Sequence, residues 1–278
     1  MIELSNGHQF TFMAASGALG YTGKGWWWEY PLRWVKLIDP TLFTIVTKTV
    51  TLKPQKGNHP LRAVRFIKEG VVNALGLGNP GIEEIIKRIE NTQLNLVISI
   101  AGTTYELLEM IEILNNLNYI KGIEINASCP NIEEDITAPR FIKGIIKNCH
   151  FIGEISHHPL ILKVSPAQAY TEIAREIPRT VIEALAINSV PWDIYSNNKS
   201  PLEKFGGGGV SGKAAQDHTW KVVKELSQAS IPVIGPSVWE YEDIAKLLEL
   251  GAKAISFGSI FLVHPLRPTQ LVRRFQKE

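Results

Sequence analysis

Eight short runs rich in Ile, Val and Leu recur along the chain, at 10–16, 43–50, 94–102, 122–128, 160–166, 181–189, 231–237 and 254–260. Each is bounded by polar residues, Gly or Pro, as expected for parallel strands buried on both faces. Helical patterns separate them, over 31–38, 79–91, 105–117, 139–149, 168–179, 219–230, 241–251 and 265–278. In 79–91, Pro80 falls at the first turn, and Glu83, Glu84, Lys87 and Arg88 supply an outer face. In 105–117, Leu107, Leu108, Ile111 and Leu114 form one apolar stripe at helical spacing.

Strand–helix units in such a series close most simply into an α/β fold of the (β/α)8 TIM-barrel type, with active-site loops at the C-terminal ends of the strands. A doubly wound open sheet would place G-x-G-x-x-G after the first strand, and Gly17, Gly20, Gly23 and Gly25 lack that spacing. A length of 278 residues suits one barrel domain over 1–278. The connections 17–30, 51–78 and 190–218 read as long loops on the face where the strands finish, where such enzymes react.

Composition narrows the function classes. A net charge of +2 gives no general attraction to nucleic acid or to an anionic membrane. No apolar run reaches the roughly 18 residues of a membrane span. Cys129 and Cys149 form neither a disulfide framework nor a metal-binding spacing, so no metal site is expected. Met1, Ile2, Glu3, Leu4 and Ser5 carry no basic or apolar secretory signal, and the cytoplasm is the expected location. The adjacent Trp26, Trp27 and Trp28 cannot all face one core. They read either as packing at an interface or under a loop, or as a docking surface for a partner or an apolar electron acceptor.

Chemistry concentrates at the strand ends. The fourth run finishes in Asn126, Ala127, Ser128, Cys129, Pro130 and Asn131. Amides on both sides of a thiol suit recognition of a flat, amide-rich ring beside an acid/base group, although a polar strand end before a loop accounts for them too. Lys48 and Lys163 lie inside otherwise apolar strands, where an unpaired cation is costly. An anionic ligand between them is one explanation; a salt bridge to Glu124, almost the only acid available, is the other. Glycines at 206–209, Gly212, Gly235 and Gly258 let backbone N–H groups approach a phosphate closely, and the loops after strands seven and eight are the usual phosphate cradle of this barrel.

Over nearly its whole length the chain resembles the dihydroorotate dehydrogenase family. The resemblance rests on Ala15-Ser16-Gly17, Lys48-Thr49-Val50-Thr51, Asn73-Ala74-Leu75-Gly76-Leu77, Asn126-Ala127-Ser128-Cys129-Pro130-Asn131, Lys163, Asn188-Ser189, Gly207-Gly208-Gly209-Val210-Ser211-Gly212 and Gly258-Ser259. It implies a TIM barrel that binds FMN and oxidises dihydroorotate to orotate in pyrimidine biosynthesis. Cysteine at position 129 matches the soluble class 1 enzymes, in which it would remove the C5 proton while hydride leaves C6 for the flavin N5.

By the same resemblance Lys48, Asn73, Leu75, Gly76, Leu77, Asn126, Asn131, Asn188 and Ser189 would contact the substrate. Ala15, Ser16, Lys48, Thr49, Ser99, Asn126, Lys163, Ile187, Gly212, Gly235, Ser237, Gly258 and Ser259 would contact the cofactor, with Lys163 against the flavin ring. Residues 132–140 resemble a lid that excludes water. Gly235-Pro236-Ser237 departs from the family's Gly-Gly pair, and Pro236 has no N–H to offer. Ser99 stands where class 1B relatives often carry Asn.

The partners implied are a homodimer and, for class 1B, a separate iron–sulfur/FAD subunit that passes electrons to NAD; class 1A relatives reduce fumarate. The chain has no cluster-binding cysteines or dinucleotide fingerprint of its own. A related flavin oxidoreductase acting on another dihydropyrimidine, or a non-redox phosphate-binding barrel, remain the competing readings.

Overall fold

A computed structural model describes residues 1–127 and 138–278. The chain opens with an antiparallel hairpin, β1 (Ile2–Glu3) and β2 (Gln9–Phe10). Barrel strands β3 (Phe12–Ala14) and β4 (Thr44–Val46) follow, joined through helix α1 (Tyr30–Trp34). Next come α2 (Pro60–Ala63), the hairpin β5 (Val64–Ile67) and β6 (Gly70–Asn73), and α3 (Ile82–Ile89).

The barrel continues through β7 (Leu96–Ile100), α4 (Thr104–Leu114), β8 (Gly122–Asn126), α5 (Pro139–Ile155), β9 (Leu160–Val164), α6 (Tyr170–Glu176) and β10 (Ala184–Ile187). An excursion follows through β11 (Val190–Pro191), α7 (Trp192–Tyr195) and β12 (Gly209–Gly212). The chain closes with α8 (Gln216–Leu226), β13 (Val233–Gly235), α9 (Glu242–Glu249), β14 (Ala254–Phe257), α10 (Ile260–Val263) and α11 (Arg267–Phe275).

Eight parallel strands close in the order β10-β13-β14-β3-β4-β7-β8-β9. Each lies within a run expected from the sequence. Closure depends on β14 against β3, where Ile255, Ser256 and Phe257 pair with Phe12, Met13 and Ala14. Strand residues alternate between two apolar layers. Val97, Ile161, Ala184, Ala186, Ile234 and Ala254 fill the barrel, and Ile2, Leu4 and Phe10 of the first hairpin close its N-terminal end. Leu96, Ile98, Ile100, Leu160 and Leu162 face outward to the helices. Towards the C-terminal ends the inward positions turn polar, with Ser99, Glu124, Asn126 and Lys163.

Four expectations change. The connections 51–78 and 190–218 are not plain loops: they supply an antiparallel sheet in the order β11-β12-β6-β5. In it Asn73 pairs with Gly209 and with Val64. The helix expected over 31–38 ends early, because Lys36 takes the left-handed backbone at φ 55° and Ile38 turns into the core. Pro80 precedes its helix, which begins at Ile82 after Gly81 at φ 86°. The last helix divides at His264 and Pro265 into α10 and α11.

Candidate active site

The polar strand ends form one connected hydrogen-bond chain. Lys163 Nζ donates to Glu124 Oε1 at 2.6 Å, and Ser99 Oγ donates to the same oxygen at 2.7 Å. Ser99 Oγ lies 2.9 Å from Thr49 Oγ1, which receives the Asn126 amide nitrogen at 3.1 Å and lies 3.2 Å from Ser16 Oγ. Ser99, Glu124, Lys163 and Thr49 are all buried.

Direction follows from donor and acceptor counting. A carboxylate only accepts, so the Ser99 hydroxyl spends its hydrogen on Glu124 and must receive one from Thr49. Thr49 then has none left for Ser16, whose hydroxyl turns to the Thr47 carbonyl at 3.0 Å or to Thr49 itself. The arrangement holds the Asn126 amide with its nitrogen against Thr49.

Lys163 is the charge-based expectation that changes. Glu124 meets its cation in the barrel at 2.6 Å, so no anionic ligand is needed to explain that buried lysine. Lys48 differs: its ammonium donates to the Gly78 carbonyl at 2.9 Å and stands 5.6 Å from the centre of the Tyr21 ring. The Tyr21 hydroxyl donates to the same carbonyl. Together they tie the loop carrying Leu75, Gly76 and Leu77 to the barrel mouth. Asn79 shapes the end of that loop, with Nδ2 on the Leu77 carbonyl and on Thr51 Oγ1.

On the opposite side of the mouth, Asn188 follows β10, its N–H on the Val164 carbonyl and its Oδ1 accepting the Ser189 N–H at 2.9 Å. A Cβ at Gly209 would lie 2.2 Å from Ser189 Oγ, and one at Gly208 would lie 2.7 Å from the Asn73 carbonyl oxygen. The glycine run therefore packs directly on two expected substrate contacts. Ile187 is the last residue of β10 and pairs with Val164.

The glycines expected at the phosphate separate into two kinds. Gly212 and Gly235 are explained by packing, since a Cβ would lie 2.8 Å from Trp239 and from Leu247 respectively. Gly258 has ordinary room: among the described residues the Ala15 Cβ at 3.7 Å is the only neighbour of an added carbon, so their packing does not demand a glycine there. Next to it, the Ser259 hydroxyl is buried without a hydrogen-bond partner among the described residues. An orphaned hydroxyl beside a glycine at the opening turn of α10 suits an anionic oxygen. Ser237 holds a left-handed φ of 67°; Thr219 donates to its hydroxyl at 3.0 Å and Gln216 to its carbonyl at 2.9 Å.

Cys129, Asn131 and most of the expected lid lie outside the described residues. The edge leading to them is anchored by Gln168, whose Nε2 donates to the Ala127 carbonyl at 2.9 Å while its Oε1 accepts the Ser165 N–H at 2.7 Å. Sequence reasoning missed Gln168 and Tyr21, because nothing in their local pattern points across the barrel. It noticed Glu124 only as an isolated acid. Among the described residues, no group of His, Cys, Asp and Glu is arranged to hold a metal ion, and no helix is long and apolar enough to cross a membrane.

Comparison with known proteins places this geometry in context. The family model described as dihydroorotate dehydrogenase matches residues 11–275. Among curated proteins, the chain is 31% identical over 265 residues to a Bacteroides thetaiotaomicron protein, covering 91% of this chain and 84% of that one. Identity is also 31%, over 268 residues, to a protein of Caldicellulosiruptor bescii, with coverage of 91% and 84%. It is 28% over 264 residues to one of Halalkalibacterium halodurans, again with coverage of 91% and 84%. All three relatives are named dihydroorotate dehydrogenase B (NAD(+)), catalytic subunit.

Proposed function

The chain belongs to the dihydroorotate dehydrogenase family, and we propose that it oxidises dihydroorotate to orotate in de novo pyrimidine biosynthesis, as a single-domain FMN enzyme in the cytoplasm. The observation that carries this reading is the continuous network from Ser16 through Thr49, Ser99 and Glu124 to Lys163, with Asn126 attached. Residues from five separate stretches of sequence meet there, and Ser16, Thr49, Ser99, Asn126 and Lys163 are residues that the resemblance assigns to the cofactor.

Bound FMN would supply a hydride acceptor at its N5, taking hydride from substrate C6. Cys129 takes the proton from C5, so the substrate loses one hydride and one proton as the C5–C6 double bond forms. Asn73, Asn126, Asn131 and Asn188 match the donors and acceptors of the cyclic imide and carboxylate. Lys48 would serve both substrate and cofactor. Ser259 and Gly258 fit the phosphate through the orphaned hydroxyl and the spare room beside it, and Gly212, Gly235 and Ser237 would complete that site.

The relatives' names favour a catalytic subunit whose electrons leave through a second, separately encoded subunit towards NAD. A homodimer of this chain is part of the same reading.

Purified protein tests the reaction directly. A yellow preparation whose flavin absorbance bleaches anaerobically on adding dihydroorotate supports it. Bleaching only by other dihydropyrimidines would move the substrate assignment, and a colourless protein that takes up no FMN would overturn the flavin assignment. Anaerobic reoxidation by fumarate, oxygen and quinone in parallel then examines the acceptor: rapid reoxidation by fumarate contradicts the partner-subunit route.

A further inference from the structure

Residues 24–37, between β3 and β4, expose side chains of only two kinds. Trp27 and Trp34 are 75% and 84% exposed, and Trp28, Tyr30, Val35 and Leu37 also lie on the surface. The other exposed side chains there are Pro31 and two cations, Lys24 and Lys36. Glu29, the segment's single acid, is buried, and its carboxylate is spent on the Trp26 N–H at 2.7 Å. The indoles brace one another: Trp26 stacks on Trp28 at 5.5 Å and 2°, and Trp27 meets Trp28 edge-on at 5.8 Å.

So much exposed apolar surface within one short segment marks a site of association, and charge selects among the occupants. A second copy meeting this face by two-fold symmetry would bring the same lysines to the same contact, with no exposed carboxylate from 24–37 to answer them. An anionic lipid surface answers both features. Indole and phenol rings favour the zone where the ring is apolar and its N–H or O–H stays wet, and lysines reach from there to phosphate. Helix α1 has only five residues, so the segment lies on a bilayer rather than spanning it.

We propose that residues 24–37 form a peripheral dock for an anionic lipid surface, with Trp27, Trp28, Tyr30 and Trp34 entering the headgroup boundary and Lys24 and Lys36 meeting lipid phosphates. The whole-chain charge of +2 is too small to direct this; the local sorting of charge does. The inference is independent of the reaction proposed above.

The test uses the full chain and vesicles of phosphatidylcholine with or without phosphatidylglycerol. The protein sediments with the anionic vesicles, its indole emission shifts to the blue, and brominated acyl chains quench it. Lys24→Gln with Lys36→Gln weakens binding roughly fivefold per lysine. Trp27→Ser with Trp34→Ser weakens it by about tenfold or more. Unchanged thermal midpoints establish that these variants fold, and quenching of the parent protein needs no variant. The proposal is overturned if the parent stays in the supernatant at low salt, or if the tryptophan variant binds as well as the parent. It is equally overturned if the tryptophan variant splits a dimer that does not bind vesicles, because the face then joins two copies of the chain.

Discussion

Lys163 Nζ and Glu124 Oε1 lie 2.6 Å apart inside the barrel, and the hydroxyl of Ser99 shares that carboxylate oxygen. The pair sits where the apolar filling of the barrel gives way to the polar mouth. Removing one partner leaves the other buried without its counter-charge. Glu124→Gln is expected to lower unfolding stability by about 3–5 kcal/mol in urea titration. Glu124→Leu with Lys163→Met should recover most of that loss, since an apolar pair needs no compensation. Equal stability of the single and double variants would mean that the ion pair does not act as a unit.

The proposed reaction assigns removal of the C5 proton to Cys129. Cys129→Ser should slow anaerobic flavin reduction by dihydroorotate most visibly near neutral pH, because serine is the poorer base. Stopped-flow absorbance reads the rate. A Cys129→Ala variant that reduces at the parental rate would remove the cysteine from the mechanism.

The second cysteine behaves oppositely. Cys149 is buried in α5 against the outer barrel layer, and burial pushes its thiol up to about 12. A thiolate is therefore scarce at pH 8 in the folded protein. In a Cys129→Ser background, a disulfide reagent such as Ellman's should find no thiol before denaturation and one per chain after it. Rapid labelling of the native variant would show that α5 opens readily.

What the sequence made legible, and what it did not, divides by the range of the interaction. The barrel was readable because strand burial and helix amphipathicity are local patterns, and 10–16 or 160–166 carry them within a few residues. The site was readable as a set of residues, through motifs, but not as a geometry. Nothing near Thr49 indicates that it links Ser99 to Ser16, and the ambiguity between a ligand and Glu124 at Lys163 needed the β8–β9 register to resolve it. The antiparallel sheet escaped because 135 residues lie between β6 and β12, and both contain glycine where they pair, so neither strand shows apolar–polar alternation in its sequence. The packing demand at Gly235 escaped for a related reason: it comes from Leu247, on a helix that follows later.

The glycine run at 206–208 offers a graded experiment. All three residues hold left-handed φ, at 81°, 86° and 81°. At Gly206 an added Cβ meets nothing among the described residues within 4 Å, so Gly206→Ala costs only the backbone preference, about 1–2 kcal/mol. At Gly208 the carbon would lie 2.7 Å from the Asn73 carbonyl oxygen, backbone that cannot swing aside. Gly208→Ala should displace the end of β6 and raise KM for dihydroorotate several-fold, while Gly206→Ala leaves KM unchanged. Steady-state kinetics on the two variants would separate these outcomes, and an equal KM in both would disconnect the glycine run from substrate binding.

Two histidines are expected to contribute to the acid limb of stability. Burial holds His8 below its ordinary value, helped by the charge of Lys121, and its Nε2 lies 2.8 Å from Thr44 Oγ1. Burial likewise lowers His158, whose Nε2 lies 3.0 Å from the Leu114 carbonyl. In each case the unfolded chain takes up a proton before the folded one does. The stabilisation is therefore fully present above the unfolded value of 6.5 and is lost as pH falls through the lower folded value. Thermal midpoints measured from pH 7.5 downward should begin to fall near pH 6.5, and the fall should be shallower in His8→Gln with His158→Gln. If the double variant keeps the parental slope down to about pH 5, the acid sensitivity comes from carboxylates instead, Asp39 among them: against the upward push of burial, the Thr41 hydrogen bonds and then the Arg273 ion pair hold its carboxyl below the usual range.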